Sequence, residues 1–267
     1  MDNPVTRQPI PVVIMCGGTG TRMREETEFR PKPMVEVGGK PILWHIMKIY
    51  AHYGYRDFIL CLGYKGQYIK DYFLRHQLLM HDFRLNLGNN TTELLEQEGK
   101  DDFRITFADT GLETLTSERL LRAAKYIPTD EFMLTYGDGV SDVDLHQLRD
   151  FHDARRENHG VIGTLTGIHP KSKYGLVNHN ENQVVTYFQQ YPQLPDYTNG
   201  GFMVLHKDFL AYCKEDQMIE DAMIDASEAG KMAMYKHEGF WHAMDTVKDK
   251  DDLEKLWRAE PKWKVWG

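Results

Sequence analysis

Four short segments of this 267-residue chain combine side chains and spacing suited to a phosphorylated ligand. The sharpest is Cys16-Gly17-Gly18-Thr19-Gly20-Thr21-Arg22, directly after the apolar run Val12-Val13-Ile14-Met15. Three glycines let backbone N–H groups come close to a phosphate chain, and Arg22 adds a forked cation. The loop matches neither G-x-x-x-x-G-K-[ST] nor G-x-G-x-x-G, so ATPase and dinucleotide dehydrogenase are not its natural readings. A plain glycine turn of an α/β fold is the alternative. Further on, Arg30-Pro31-Lys32-Pro33-Met34 sets a lysine between two prolines. That bracketing predicts an ammonium presented from a stiff, extended segment, suited to an electrostatic clamp, against the plainer reading of an exposed turn lysine. Tyr136-Gly137-Asp138-Gly139 places a carboxylate at the end of another apolar run, and Met244-Asp245-Thr246 follows Gly239-Phe240-Trp241. Two carboxylates converging from distant parts of a chain beside a triphosphate are a usual way of holding Mg²⁺. Each aspartate alone has a blander role, and Asp245 is placed to cap a helix starting near Lys248.

Such segments work only if a scaffold gathers them. After the first apolar run, Pro41 opens a stretch in which Ile42, Ile46, Ile49 and Tyr50 recur at helical spacing, with Gly54 as a stop. Phe58-Ile59-Leu60-Cys61-Leu62 repeats the strand, residues 65–75 repeat the helix, and a helix near 118–126 precedes a strand at Phe132-Met133-Leu134-Thr135-Tyr136. Strands alternating with helices predict a parallel sheet covered on both faces, with ligands at the carboxyl ends of its strands. From about residue 160 the pattern changes to strands at 160–167, 176–178, 183–189 and 201–206, with helices at 207–213, 218–229 and 248–258. No linker or repeat interrupts the chain. We therefore expect one α/β domain over 1–267, with an N-terminal extension at 1–10, a first half at 11–159 and a mixed-sheet C-terminal half at 160–267. A split near 160 is the alternative.

Lys plus Arg number 32 against 40 Asp plus Glu, a net charge of −8. That sign opposes non-specific binding of nucleic acid, though local cations in a pocket still suffice for a small anion. Cys16, Cys61 and Cys213 are odd in number, far apart and form no C-x-x-C pair, which reads as reduced thiols in a cytoplasmic protein. The opening MDNPVTRQPIP has no apolar core, so no signal peptide is expected, and the longest apolar runs have strand length, so no membrane span is expected.

Taken together, GGTGTR, RPKPM, the G-D-G turn and the late F-W-x-x-M-D-T resemble the sugar nucleotidyltransferases, which join an NTP to a sugar 1-phosphate. VEVGGKPILWHIMKIY, CLGYKG, YGDGVSDVD, Asn199-Gly200-Gly201-Phe202 and HEGFWHAMDTVKDK are similar to the glucose-1-phosphate cytidylyltransferases among them, over about residues 11–266. The resemblance implies a Rossmann-like three-layer nucleotidyltransferase fold with a mixed, mostly parallel central sheet. It also implies transfer of CMP from CTP to glucose 1-phosphate, giving CDP-glucose and pyrophosphate, with Mg²⁺ as cofactor, in a homo-oligomer serving deoxysugar or surface-polysaccharide synthesis. On this resemblance Gly17, Gly18, Thr19, Gly20, Thr21, Arg22 and Gly137 wrap the nucleotide, and Thr110, Gly111, Thr116 and Arg119 lie by its base and ribose. Arg22, Lys32 and Asp138 form the catalytic set, Asp138 and Asp245 hold Mg²⁺, and Tyr136, Lys171, Tyr191, Asn199 and Gly200 line the acceptor pocket. His237 and Trp241 lie near the site or pack beneath it. The reaction is in-line attack of an already ionised phosphate on the α-phosphorus, needing no protein nucleophile.

Three stretches depart from the family pattern. Phe-x-Glu-Lys-Pro becomes Phe188-Gln189-Gln190-Tyr191-Pro192, which removes a cation where the acceptor's phosphate lies and leaves Lys171 and Lys173 as the nearest substitutes by motif. Thr-Gly-Gly-Arg-Leu becomes Thr116-Ser117-Glu118-Arg119-Leu120, which adds side chains and a charge on the base side, and Met218-Ile219-Glu220-Asp221 replaces a Trp-Glu-x-Glu pattern. A different phosphorylated or phosphonate acceptor, and a non-catalytic nucleotide-binding homologue, therefore stay open as alternatives.

Overall fold

The computed structural model describes residues 9–95, 101–172 and 174–267. Residues 1–8, which make up most of the expected N-terminal extension and of the segment read for a leader, and the candidate cation Lys173 lie outside the described residues.

All four residues of Val12–Met15 are buried, because the strand runs inside a sheet covered on both faces. Val12 pairs with Phe58 of Asp57–Leu62 and with Met133 of Glu131–Tyr136. Arg104–Asp109 adds a further parallel strand beyond Asp57–Leu62. On the other side Met203–His206 runs antiparallel to Glu131–Tyr136, and Gly163–Ile168 then pairs antiparallel with both Met203–His206 and Thr198–Asn199. Met232–His237 closes that edge in parallel. All strands of this eight-stranded sheet except Met203–His206 and Thr198–Asn199 run the same way, which is the mixed, mostly parallel sheet expected.

Strand alternation divides the core into two layers. Val12, Ile14, Phe58 and Leu60 face one cluster, with Ile42, Ile46, Leu148 and Trp263. Val13, Met15, Ile59 and Cys61 face the other, with Leu120, Phe209, Ile219 and Ala222. Helix Ile42–His52 buries Ile42, Ile46 and Ile49 against the first cluster, as its spacing predicted. Thr116–Ala123 and Ile219–Glu228 cover the opposite face.

Several elements differ from the sequence reading. Lys32–Met34 is a short 3-10 turn rather than an extended segment, since a proline in the first turn of a helix sacrifices no hydrogen bond. Residues 207–213, read as helical, form the 3-10 helix Lys207–Tyr212. The helix Leu145–His159 was not anticipated, because two of its buried positions are the polar Arg149 and His152. Asp144 caps it by accepting from the His146 and Gln147 backbones, and Gly160, at φ 64°, ends it. That stop explains why the next strand starts at Gly163 and not at 160. Hairpin Phe83–Asn86 with Thr91–Leu94 was also missed. Among the described residues no helix is long and apolar enough to cross a membrane.

His45 fastens the C-terminal segment to this frame. Its Nε2 lies 2.8 Å from the Val37 carbonyl, which only accepts, so Nε2 carries the proton and Nδ1 accepts from Trp263 Nε1 at 3.4 Å. Burial lowers its pKa from 6.5 to about 4. Between those values the unfolded chain binds more protons than the native one, so stability is complete above about pH 6.5 and declines as pH falls toward 4. His152, also lowered by burial to about 4, adds with the same sign. Urea unfolding at pH 5 against pH 7.5 should show a loss of about 2 kcal/mol from His45 alone. His45→Gln should shrink the difference; a difference unaffected by that change would assign the effect elsewhere.

Candidate active site

The loop that follows Val12–Met15 is shaped by contacts a side chain would block. A Cβ on Gly17 would lie 2.2 Å from Arg119 Nη1, and one on Gly63 would lie 2.5 Å from the same atom. Gly20 adopts φ 65°, and its carbonyl accepts from Thr27 Oγ1 at 3.1 Å. The buried Arg119 guanidinium donates to the carbonyls of Leu62 (3.1 Å), Gly111 (2.7 Å), Gly17 (3.3 Å) and Leu112 (3.1 Å), and to Thr110 Oγ1 (2.8 Å). One planar cation thus ties the glycine loop to the ends of two neighbouring strands. Burial lowers the Arg119 pKa.

This loop forms one wall of a cavity of about 480 Å³, within the usual range of ligand sites. Gly17, Gly18, Gly20, Thr21 and Arg22 line it, as do Lys32, Thr116 and Arg119. Tyr136, Gly137, Asp138 and Asp245 also line it, with Pro33, and Met218 lies beside Thr116, its Sδ 3.8 Å from Thr116 Oγ1. Thr110 and Gly111, expected beside the base, do not line the cavity; both accept from Arg119, and Thr110 Oγ1 donates to the Leu62 carbonyl at 2.7 Å. Thr19 belongs to the loop but is absent from the cavity wall.

The centre of the cavity is an ion triplet. Lys32 Nζ lies 2.5 Å from Asp138 Oδ2 and 2.7 Å from Asp245 Oδ1. Three local features bring it about. Asp138 follows the strand Glu131–Tyr136, and the strand Trp241–Ala243 pairs antiparallel with Gly139–Ser141, Ala243 opposite Gly139. Met244 N donates to the Asp138 carbonyl at 2.9 Å, so the two aspartates emerge side by side. Asp245 is not the helix cap: Thr246 takes that role for Val247–Ala259, in a capping box with Asp249, which leaves the Asp245 carboxylate for the cavity. Pro33 delivers Lys32 by packing on Gly137, where a Cβ would meet Pro33 Cγ at 3.0 Å and the Met15 carbonyl at 2.9 Å. Partial burial works to lower the Lys32 pKa, but the charge and hydrogen bonds of Asp138 and Asp245 outweigh it and raise it. Arg22 stands at the mouth, mostly exposed, 3.6 Å from Asp245 Oδ2.

Asp138 and Asp245 suit a hard divalent cation, because both present oxygens to one point, now held by the ammonium. Among the described residues no group of three or more metal-binding side chains exists, so such a cation would complete its shell from ligand oxygens and water. No cysteine competes as a nucleophile. All three are buried and free, and burial raises their pKa values, to about 12 for Cys61 and about 11 for Cys213.

Beyond Tyr136 lies a polar relay that the sequence did not reveal. Tyr136 OH donates to Glu220 Oε1 at 2.6 Å, and Asn199 Nδ2 donates to Tyr136 OH at 3.3 Å. Burial, then Glu220, raises the Tyr136 pKa, so the phenol stays a donor. The Gly200 carbonyl accepts from Trp241 Nε1 at 2.7 Å. His237 Nε2 lies among Ser141 Oγ, Asp142 Oδ1 and the Phe240 carbonyl, in a supporting position. Lys171 and Tyr191 stand outside the cavity wall, on paired segments where Lys171 bridges Gln193. The Ser117 and Glu118 side chains are absorbed by the fold: Ser117 Oγ accepts from Lys214 N at 2.9 Å, and Glu118 pairs with Arg122 at 2.5 Å. Thr116 Oγ1 likewise accepts from Ile219 N at 2.8 Å.

A family model described as "Nucleotidyl transferase" matches residues 11–260. The chain belongs to the nucleotidyl transferase family. It is 41% identical over 259 residues to glucose-1-phosphate cytidylyltransferase of Salmonella typhimurium, covering 95% of this chain and 98% of that one. This nucleotidyl transferase shares its fold with HddC of Yersinia pseudotuberculosis, solved with GMP-PN, at 20% identity, TM-score 0.63 and coverage of 93% and 99% of the two chains. It is also similar to the inositol-1-phosphate CTP transferase of T. maritima, at 16% identity, TM-score 0.64 and coverage of 96% and 97%.

Because Gly17 sits against Arg119 while a Cβ on Gly18 would meet nothing within 4 Å, the two glycines should differ sharply on substitution. Gly17→Ala should destabilise the protein by about 1–3 kcal/mol through overpacking and weaken nucleotide binding; Gly18→Ala should leave stability near wild type. Thermal unfolding and CTP titration of both variants check this, and equal behaviour would refute the role given to Arg119.

Proposed function

We propose that this nucleotidyl transferase moves CMP from CTP to a sugar 1-phosphate, with glucose 1-phosphate as acceptor and CDP-glucose and pyrophosphate as products. The observation that carries the reading is the single ammonium held between two strand-end carboxylates, facing a glycine loop across one cavity. The likeness to the Salmonella enzyme supports the acceptor and the base.

The Gly17, Gly18, Gly20 and Thr21 backbone, with Arg22, receives the triphosphate, and Thr116, Arg119 and Met218 form the wall on the base side. Asp138 and Asp245 would hold Mg²⁺, which supplies neutralisation of the leaving pyrophosphate. Lys32, kept cationic by its raised pKa, donates to phosphate oxygens as negative charge builds at the reacting phosphorus. The Tyr136, Asn199 and Glu220 relay offers donors and acceptors to sugar hydroxyls. The attacking oxygen is already ionised at neutral pH, so no side chain has to remove a proton from it.

Asp138→Asn and Asp245→Asn should each remove most of kcat while leaving the melting temperature close to wild type, read by pyrophosphate release and thermal unfolding. Full turnover in both would reject them as metal ligands. Lys32→Ala should lower kcat roughly a hundredfold to a thousandfold with a smaller rise in the KM for CTP. A variant impaired only in KM would make Lys32 a uniform binder of nucleotide.

A further inference from the structure

We propose that Glu26 is a positioning residue for nucleotidyl transfer, the carboxylate that holds the glycine-loop turn, the Lys32 segment and the Asp245 segment at their working separation. The inference rests on the function proposed above and adds to it a residue outside the cavity wall.

Glu26 lies in the short helix Arg24–Thr27, which follows the turn Thr21–Met23 that carries Arg22. Its neighbour Thr27 fixes that helix to the loop. Thr27 Oγ1 lies 3.1 Å from the Gly20 carbonyl and 3.0 Å from the Met23 carbonyl, one on either side of Arg22. The two Glu26 oxygens then reach different segments: Oε1 pairs with Lys250 Nζ, and Oε2 lies 3.7 Å from Arg30 Nη2. Arg30 immediately precedes Pro31-Lys32, and its Nη1 is held 3.2 Å from Glu36 Oε1. Lys250 stands in the first turn of Val247–Ala259, its backbone N on the Thr246 carbonyl at 3.2 Å. Asp245 is bound to that same turn, because its backbone N donates to Asp249 Oδ2 at 3.1 Å. One carboxylate thus links the backbones that deliver Arg22, Lys32 and Asp245.

The arrangement inverts the charges at the centre of the cavity. There one cation joins two anions; outside the wall one anion joins two cations, from two of the same segments. On the proposed function the inner triplet has to open, as Lys32 turns to phosphate oxygens and the aspartates to a divalent cation. It cannot then keep the walls in register, whereas the outer triplet has no such exchange to make. Its worth to the fold is small: the side chains of Glu26 and Lys250 are 19% and 28% exposed, and an ion pair so placed adds little stability. Its effect is on register, where a displacement of about 1 Å costs on the order of a hundredfold in rate.

Pyrophosphate release with CTP and glucose 1-phosphate varied separately, beside thermal unfolding, tests this. Glu26→Gln and Lys250→Met should each lower kcat roughly tenfold to a hundredfold, with the KM for glucose 1-phosphate and the melting temperature close to wild type. The double variant should be no slower than the slower single one, because both changes open the same contact. Lys250→Arg, which keeps the pair, should retain most of kcat. Wild-type kcat in Glu26→Gln, losses that multiply in the double variant, or a fall in kcat accounted for by a fall in melting temperature would overturn the proposal while leaving the cytidylyltransferase reading intact. A wild-type enzyme releasing no pyrophosphate from CTP and glucose 1-phosphate would overturn that reading itself, and this inference with it.

Discussion

The Lys32 ammonium between Asp138 and Asp245 is the contact on which the rest of the site depends. Two carboxylates this close repel unless a cation lies between them, and a cation this buried needs counter-charge. Each group therefore makes the other two tolerable. They come from the turn after the first loop, the end of a central strand and the segment before the last long helix, so the triplet also records correct assembly of the chain. Its geometry is enforced by backbone: the pairing of Trp241–Ala243 with Gly139–Ser141 aligns the aspartates, and the contact of Pro33 with Gly137 sets the lysine.

Arg119 is the counterpart on the glycine-loop side. Its donors are spent on carbonyls and one hydroxyl, so its work is to shape the glycine loop and the cavity wall beside it. The division follows from burial. The enclosed guanidinium is a structural tie, whereas Arg22 stands open at the mouth and, on the proposed function, meets the incoming anion. A site built of placed charges with buried thiols is suited to positioning a displacement.

Much of this was legible in the sequence because it is local. The glycine loop, Lys32 between prolines, Asp138 after a strand and Asp245 before a helix are each visible within a few residues, and alternating runs gave the parallel half of the sheet. What escaped was tertiary. Nothing near Thr110 indicates that Arg119 would cover it, nothing near Tyr136 indicates Glu220, and nothing near Glu26 indicates Lys250. The helix Leu145–His159 escaped because it buries His152 against Thr164, 2.9 Å away, so its inward face lacks the apolar period. The 3-10 turn at Lys32 escaped because two prolines equally fit an extended stretch and the first turn of a helix.

The proposed reaction is one direct displacement at the α-phosphorus, driven by placed charges. The most direct measurement is turnover of a single diastereomer of CTP bearing sulfur on that phosphorus, with glucose 1-phosphate as acceptor. The configuration of the sugar nucleotide product is then read by phosphorus NMR. A single in-line attack predicts inversion. Retention would require a nucleotidylated side chain as intermediate and would contradict the account.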